Sequence, residues 1–299
     1  MKILLCADDT DDLTKETSTG AIVQAITQEL EEMGGTMEDG ISRHQLLLDE
    51  HVAYTSHNSA MCVVLDFDQI ERQQIIATAE RVIREKRAQI SDPGLAICWL
   101  DQLQNPQTLV DYGFQAKQRV LTKQMAYDLA AADEGLFLEE LGGDGSGVIG
   151  ALAGLGLRLS RCDGTLRGKN GKRFQGQTMT AEDFCQKLKL DCVRDTNGGK
   201  LQGDALVHVD EMVKVSFWEG DRMAWARKGE ENVYQLCGSH AQTEDCGWSQ
   251  GRNCPAFKWD NDTEELRDQT TRCCFNCLYR RWLAKGCQCV KGLQGTDQQ

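Results

Sequence analysis

No stretch of this sequence approaches the ~18 uninterrupted apolar residues that a membrane-crossing helix needs, and the chain is expected to have no membrane partner. A charged leader with an apolar middle is lacking as well. Met1 to Ala7 runs straight into Asp8-Asp9-Thr10-Asp11-Asp12, so no signal peptide is expected and the cytoplasm is the expected compartment. Basic charge is scarce in the first half, where residues 1–157 hold 11 Lys and Arg against 26 Asp and Glu, while residues 158–299 hold 22 against 20. Uniform binding to polyanions is thereby excluded, and local binding in the second half is not. Paired Cys-x-x-Cys knuckles are lacking too, although eight of the 14 cysteines lie between Cys237 and Cys289. A separate Cys-rich C-terminal module follows, in which reduced thiols or metal ligands are expected before disulfides.

What is present centres on Gly142-Gly143-Asp144-Gly145-Ser146-Gly147, which follows an apolar run and opens into the small-residue segment Val148 to Leu155. Glycines let the backbone take positive φ and let a group approach its amides without meeting a Cβ. A helix beginning there would turn its free amides and positive dipole end toward an anion, and phosphate is the expected guest. A tight turn packing a helix on a sheet is the plainer reading of the same residues.

Lys2 to Cys6 reads as a strand, which places Asp8, Asp9 and Asp11 at its C-terminal end. Carboxylates so close together repel, and Mg²⁺ takes such oxygen ligands while bridging to phosphates. The alternative is a solvated turn capping the next helix. Helices are expected over Ser18 to Met33, Ile70 to Ala88 and Thr108 to Ala132, and strands over Met61 to Phe67, Leu95 to Leu100 and Leu136 to Leu141. Strands alternating with helices imply a layered α/β (or α+β) N-terminal domain over residues 1–160. His57 and Asn58, in the polar loop before Met61, are candidate ligand contacts.

Arg158, Arg161, Arg167, Lys169, Lys172 and Arg173 fall within sixteen residues opposed only by Asp163, and suggest a basic hairpin. Arg167, Lys169, Lys172 and Arg173 are its candidate substrate contacts, with a solvated turn as the plainer alternative. Thr180 should cap a short helix to about Leu188, and alternating runs up to Leu236 suggest a small antiparallel β-rich region, giving a second domain over 161–236. In the third, 237–299, Cys237, Cys246, Cys254, Cys273, Cys274, Cys277, Cys287 and Cys289 are candidate ligands for zinc or an iron–sulfur cluster. Five basic residues and no acids lie between Arg272 and Lys291, with Phe275, Tyr279 and Trp282 among them; this suits RNA or a protein interface equally.

Three motifs in this order resemble the N-terminal kinase-like domain of the archaeal tRNA-Ile agmatidine synthetase family: Asp8-Asp9-Thr10-Asp11; Arg43 followed by Thr55-Ser56-His57-Asn58-Ser59-Ala60; and Gly143-Asp144-Gly145-Ser146-Gly147-Val148-Ile149-Gly150-Ala151. The likeness covers roughly residues 1–160. It implies an ATP and Mg²⁺ site in an enzyme that phosphorylates an oxygen to activate it. Asp8, Asp9 and Asp11 would handle the metal, Asp9, Asp11 and Asn58 catalysis, and Thr10, Thr55, Gly143, Asp144, Gly145, Ser146 and Gly147 the nucleotide. Asp144 stands where that family has Asn, and no agmatine-binding segment is evident. RNA binding or tRNA modification through the Cys-rich tail, and a non-enzymatic metal or redox module, are the alternative functions.

Overall fold

The computed structural model describes residues 1–11, 18–49, 51–52, 57–168, 170–209, 213–229, 232–237, 254–260, 270–283 and 286–289. It has a mixed α/β fold and divides into two compact units, Met1–Ser160 and Arg161–Gln299.

In the first unit the elements run β1 (Lys2–Asp8), α1 (Thr19–Glu32), β2 (Gly35–Gln45), β3 (Ser59–Phe67), α2 (Arg72–Lys86), β4 (Gly94–Trp99), α3 (Pro106–Gln115), α4 (Lys123–Ala131), β5 (Leu136–Glu140) and α5 (Gly147–Ser160). The strands pair in the order β5-β4-β1-β3-β2, each neighbour antiparallel. Local chemistry sets the helix starts. Ser18 accepts from the Ala21 amide at α1, Glu71 and Gln74 form a reciprocal capping box at α2, and Thr122 accepts from the Met125 amide at α4.

Period-two alternation along β1 distributes the core. Ile3, Leu5 and Ala7 meet Ile22, Ile26 and Leu30 of α1 and Ile75, Val82 and Ile83 of α2 in one apolar cluster. Leu4 and Cys6 belong to a second cluster, with Leu109 of α3 and Val148, Leu152 and Leu155 of α5. The sheet therefore carries a helical layer on each face. Burying a Leu or Ile in either layer contributes about 1.5–3 kcal/mol.

Two expectations change here. The helix expected from Thr108 to Ala132 is broken into α3 and α4, because the Ala116 carbonyl accepts from the Leu47 amide and the Thr122 hydroxyl starts a new helix. β2 emerges from a segment with no alternating apolar pattern; a bulge at Asp39 (φ 63°) and Gly40 (φ 90°) shifts its register between Glu38 and Ser42.

The second unit holds β6 (Thr165–Leu166), β7 (Thr178–Thr180), α6 (Ala181–Leu188), β8 (Cys192–Asp195), β9 (Leu206–His208), β10 (Val215–Trp218), β11 (Asp221–Lys228) and β12 (Val233–Cys237), followed by the hairpin β13 (Arg280–Leu283) and β14 (Gly286–Cys289). Phe184 of α6 packs on Val193, Val207, Val215, Phe217 and Ala224. The sheet is not wholly antiparallel as expected: β8 runs parallel to β11, and β9 parallel to β12. The expected basic hairpin does not pair with itself among the described residues. Thr165 of β6 pairs with Ser216 of β10, Asn170 bridges Val213, and Lys172–Phe174 form a 3-10 turn. No described helix is long and apolar enough to cross a membrane.

Candidate functional site

Strand register brings four loops to one end of the first unit's sheet. Asp8, the last residue of β1, lies opposite Gly94, the first of β4, which lies opposite Glu140, the last of β5. On the other side Ala7 pairs with Met61, so β3 begins beside the end of β1, and its first residue, Ser59, pairs with Gln45 at the end of β2. The acidic loop after Asp8, the turn before Gly94, the loop ending at Asn58 and the glycine loop after Leu141 thus open at the same edge.

Asp8 follows Leu4 and Cys6 in the alternation and so faces α5. A Cβ built on Gly150 would lie 1.7 Å from Asp8 Oδ2, and one on Gly154 would lie 2.4 Å from Cys6 Sγ and 3.0 Å from Cys62 Sγ. Glycine at 150 and 154 therefore lets α5 lie against β1 with Asp8 beneath its first turn. At the helix start the contact is backbone on backbone: a Cβ on Gly94 would lie 2.2 Å from the Gly147 carbonyl carbon.

The glycine loop is built around carboxylates. Gly142, Gly143 and Gly145 have φ of 146°, 61° and 75°. Asp92 Oδ1 accepts from the Asp144 amide at 2.6 Å, and the Asp92 carbonyl accepts from the Gly147 amide at 2.9 Å. Asp144 Oδ1 accepts from the Ser146 amide at 2.8 Å, and that bond, followed by Lys123, holds the Asp144 carboxyl below its usual range. Lys123 Nζ donates to the Asp144 carbonyl and, at 3.0 Å, to Glu140 Oε1, which also accepts from Tyr127 at 2.7 Å. Arg87 lies on the loop's other side; a Cβ on Gly142 would lie 2.7 Å from its guanidinium carbon.

Like charge gathers at this edge. Burial first, then Asp9 and Asp11, pushes the Asp8 carboxyl up to about 8. Asp9 is pushed up to about 7 by burial, then by Asp92, Asp11 and Asp144. Asp9 also takes φ 52°, a left-handed conformation that costs a non-glycine residue about 1–3 kcal/mol, and such strain concentrates at functional sites. Asp11 Oδ2 accepts from the Thr19 amide at 3.2 Å, at the start of α1. Thr10 is fully buried, and its hydroxyl has no hydrogen-bond partner among the described residues. An unsatisfied buried hydroxyl costs about 1–3 kcal/mol, which a ligand oxygen would relieve.

The residues singled out in sequence fall into three groups. Asp8, Asp9, Asp11, Thr10 and the loop from Gly143 to Gly147 share the sheet edge. Asn58 (φ 46°) opens there as well, but its side-chain amide donates to the Leu47 carbonyl, and the backbone carbonyls of His57 and Asn58 accept from the Gln45 side chain at 2.7 and 2.9 Å. Thr55 and Asp12 lie outside the described residues. In the second unit Lys172 and Arg173 are exposed, with Arg173 donating to the Lys187 carbonyl at 3.0 Å; Arg167 is half-buried, and Lys169 lies outside the described residues.

Asp92, Arg87, Lys123 and Glu140 were missed in sequence. Arg87 and Lys123 sit at helix ends, Asp92 in the turn before β4, and Glu140 at the end of β5 two residues ahead of the glycine loop; register and packing assemble them.

Among the described residues, no three His, Cys, Asp or Glu side chains converge as a metal's ligands do. In the tail the Cys274 thiol is pushed up to about 11, first by burial and then by Cys289, Cys277, Cys254 and Cys273, so these five thiols are neighbours. No disulfide joins the described cysteines. Cys246, and the side chains of Cys237 and Cys287, lie outside the described residues.

No protein-family model matches the sequence, and no curated protein matches it. Among solved structures the chain is similar to a tRNA fluorescent labeling enzyme (20% identity, TM-score 0.47, 61% of this chain and 42% of that one). It is also similar to TiaS, an agmatidine synthetase for an isoleucine tRNA (18%, 0.46, 61% and 42%), and to the complex of TiaS with that tRNA and ATP (19%, 0.48, 61% and 43%). The match spans less than half the length of each of those proteins.

Proposed function

We propose that the first unit is an ATP- and Mg²⁺-dependent phosphotransferase-like enzyme that activates an oxygen of its acceptor. One observation carries this reading: β1 delivers Asp8 and Asp9 to the edge where the glycine loop opens into α5. Acids for a cation and amides for phosphate oxygens are what phosphoryl transfer asks of a protein, since it is catalysed mainly by positioning and charge neutralisation. Mg²⁺ fits the donor set, because a buried and a half-buried carboxyl pushed up to about 8 and 7 gain from a hard cation that holds them ionised. When bound, it would bridge these carboxylates to phosphate oxygens and offset their charge.

Asp8, Asp9 and Asp11 are assigned to that cation, and the loop from Gly143 to Gly147 to the phosphates. Thr10 supplies a buried hydroxyl beside them. Asn58 and Thr55 are assigned to orienting the γ-phosphate or the acceptor. Lys123 and Arg87 flank the loop and keep it from repelling a polyanion outright. Isothermal titration with ATP tests the reading: binding is expected with Mg²⁺ and loss of binding in Asp9→Ala and Gly145→Val. No binding by the wild-type protein, or unchanged binding by both variants, overturns it.

For the second unit we propose RNA as the partner, supported by the exposed Lys172, Arg173, Lys187 and Lys189. Affinity for RNA should fall steeply with salt, and reversing Lys172 and Arg173 to Glu should remove it. The tail thiols are proposed to hold zinc or an iron–sulfur cluster, on the strength of the four thiols near enough to Cys274 to act on its ionisation. Metal analysis of protein purified without air decides that point, and metal-free protein overturns it.

A further inference from the structure

Asp92 precedes β4 as part of an ordinary-looking Asp-Pro-Gly turn, yet it holds the glycine loop by side chain and backbone alike. Its side chain accepts from the Asp144 amide at 2.6 Å, and its backbone carbonyl accepts from the Gly147 amide at 2.9 Å. A Cβ on Gly143 would lie 1.7 Å from Asp92 Oδ1, so the carboxylate lies directly against the loop backbone. The Asp144 carboxylate accepts from the Ser146 amide. Of the five amides from Gly142 to Ser146, two are thus given to carboxylates, and those of Gly142, Gly143 and Gly145 have no partner among the described residues.

Carboxylate and phosphate oxygens seek the same backbone donors, because both are anions that accept charge-assisted hydrogen bonds. A phosphate entering this loop meets Asp92 on an amide it would itself use, and meets a like charge beside it. Asp92 also lies close enough to Asp9 to act on its ionisation, so the acid that guards the loop borders the acids assigned to the cation.

We propose, resting on the nucleotide reading above, that Asp92 is a positioning residue that occupies the phosphate's place on the Asp144 amide and yields it only when a divalent cation enters with the nucleotide. A loop closed by its own carboxylate disfavours free phosphates and metal-free nucleotides. A cation draws Asp92 toward the acids and frees the amide for a phosphate oxygen. The ligand class selected is therefore the metal complex of a nucleoside di- or triphosphate over the bare anion.

The test is the dissociation constant of ADP measured by calorimetry with excess EDTA and with saturating Mg²⁺, in the full chain, for wild type, Asp92→Asn and Asp92→Ala. Asp92→Asn keeps an oxygen to accept from the Asp144 amide and removes the charge, so the loop retains its anchor. Wild type should bind ADP well only with Mg²⁺. In both variants metal-free binding should tighten roughly three- to tenfold, because both remove the charged acceptor that competes with phosphate for the amide. The ratio of the two constants should shrink by the same factor. A purely structural role moves both constants together and leaves the ratio at the wild-type value, which overturns the proposal. Failure of wild type and both variants to bind ADP under either condition overturns the nucleotide reading itself, and this inference with it.

Discussion

The two faces of the first unit's sheet are packed by opposite means. Over one face, α1 and α2 lay Ile22, Ile26, Leu30, Ile75, Val82 and Ile83 against Ile3, Leu5 and Met61, which holds the helices away from the strands by the bulk of their side chains. Over the other, α5 descends onto the strands through glycine, with Gly147 against Gly94, Gly150 over Asp8 and Gly154 over Cys6 and Cys62. The same close approach recurs between α5 and α3, where a Cβ on Gly156 would lie 2.0 Å from the Leu109 carbonyl oxygen. Bulk suits a face that only has to be stable. Closeness is needed where a helix N-terminus must stand beside the end of a strand, and there the chain gives up side-chain area to place its acids and amides together.

The contrast breaks most severely at Gly94. A valine there meets backbone with no flexible side chain to yield, so Gly94→Val should cost more than about 4 kcal/mol, or prevent the first unit from folding. A thermal melt within about 2 °C of wild type, by the size scaling of melting shifts, would mean that the close approach is not structural. On the bulky face, Leu30→Ala should cost about 2–5 kcal/mol by creating a cavity and leave ATP affinity per folded molecule unchanged. A change in affinity measured on protein shown to be folded would mean that the two faces are not separable.

The third test concerns charge. Carboxyls raised to about 8 and 7 hold protons in the folded state that the unfolded chain has already released above its ordinary range near pH 4. Without divalent cations, the contribution of these two groups to stability is therefore greatest below about pH 4, is lost progressively as pH rises, and is fully lost once pH has passed about 7 and 8. Asp8→Asn should flatten that slope and raise the melting temperature at pH 8 by several degrees. Mg²⁺ should do the same for wild type. A melting temperature that rises between pH 5 and 8 in EDTA would contradict this account of the acids. The smallest effect is expected from Lys123→Ala. Its half-exposed pair with Glu140 is worth less than about 1 kcal/mol, whereas losing its hold on the Asp144 carbonyl should weaken ATP binding about threefold. Calorimetry and melting of that variant separate the two, and unchanged affinity would leave Lys123 a surface residue.

Local patterns were legible where apolar spacing and caps agree: Ser18 starting α1, Thr180 starting α6, the apolar run of β1 ending in acids, and the glycines opening α5. They failed where tertiary contacts replace local ones. β2 buries Ser42, Arg43, His44 and Gln45, polar residues whose place in a sheet no hydropathy pattern announces. The helix expected through Ala116 ends there, because Leu47, distant in sequence, takes its carbonyl. Asp144, which departs from the resembling family, turns its carboxylate to the Ser146 amide and its carbonyl to Lys123.

The sequence by itself determined that acids would end the first strand and that glycines would free the start of a later helix, since both follow from residue type and spacing along a few residues of chain. Only the tertiary structure decided that these two lie within contact of each other, that Asp92 stands on the loop between them, and that Asp8 is buried and Asp9 half-buried against like charge. Those outcomes depend on antiparallel register and on how near a helix can come to a strand, quantities that are set by residues far apart in the chain.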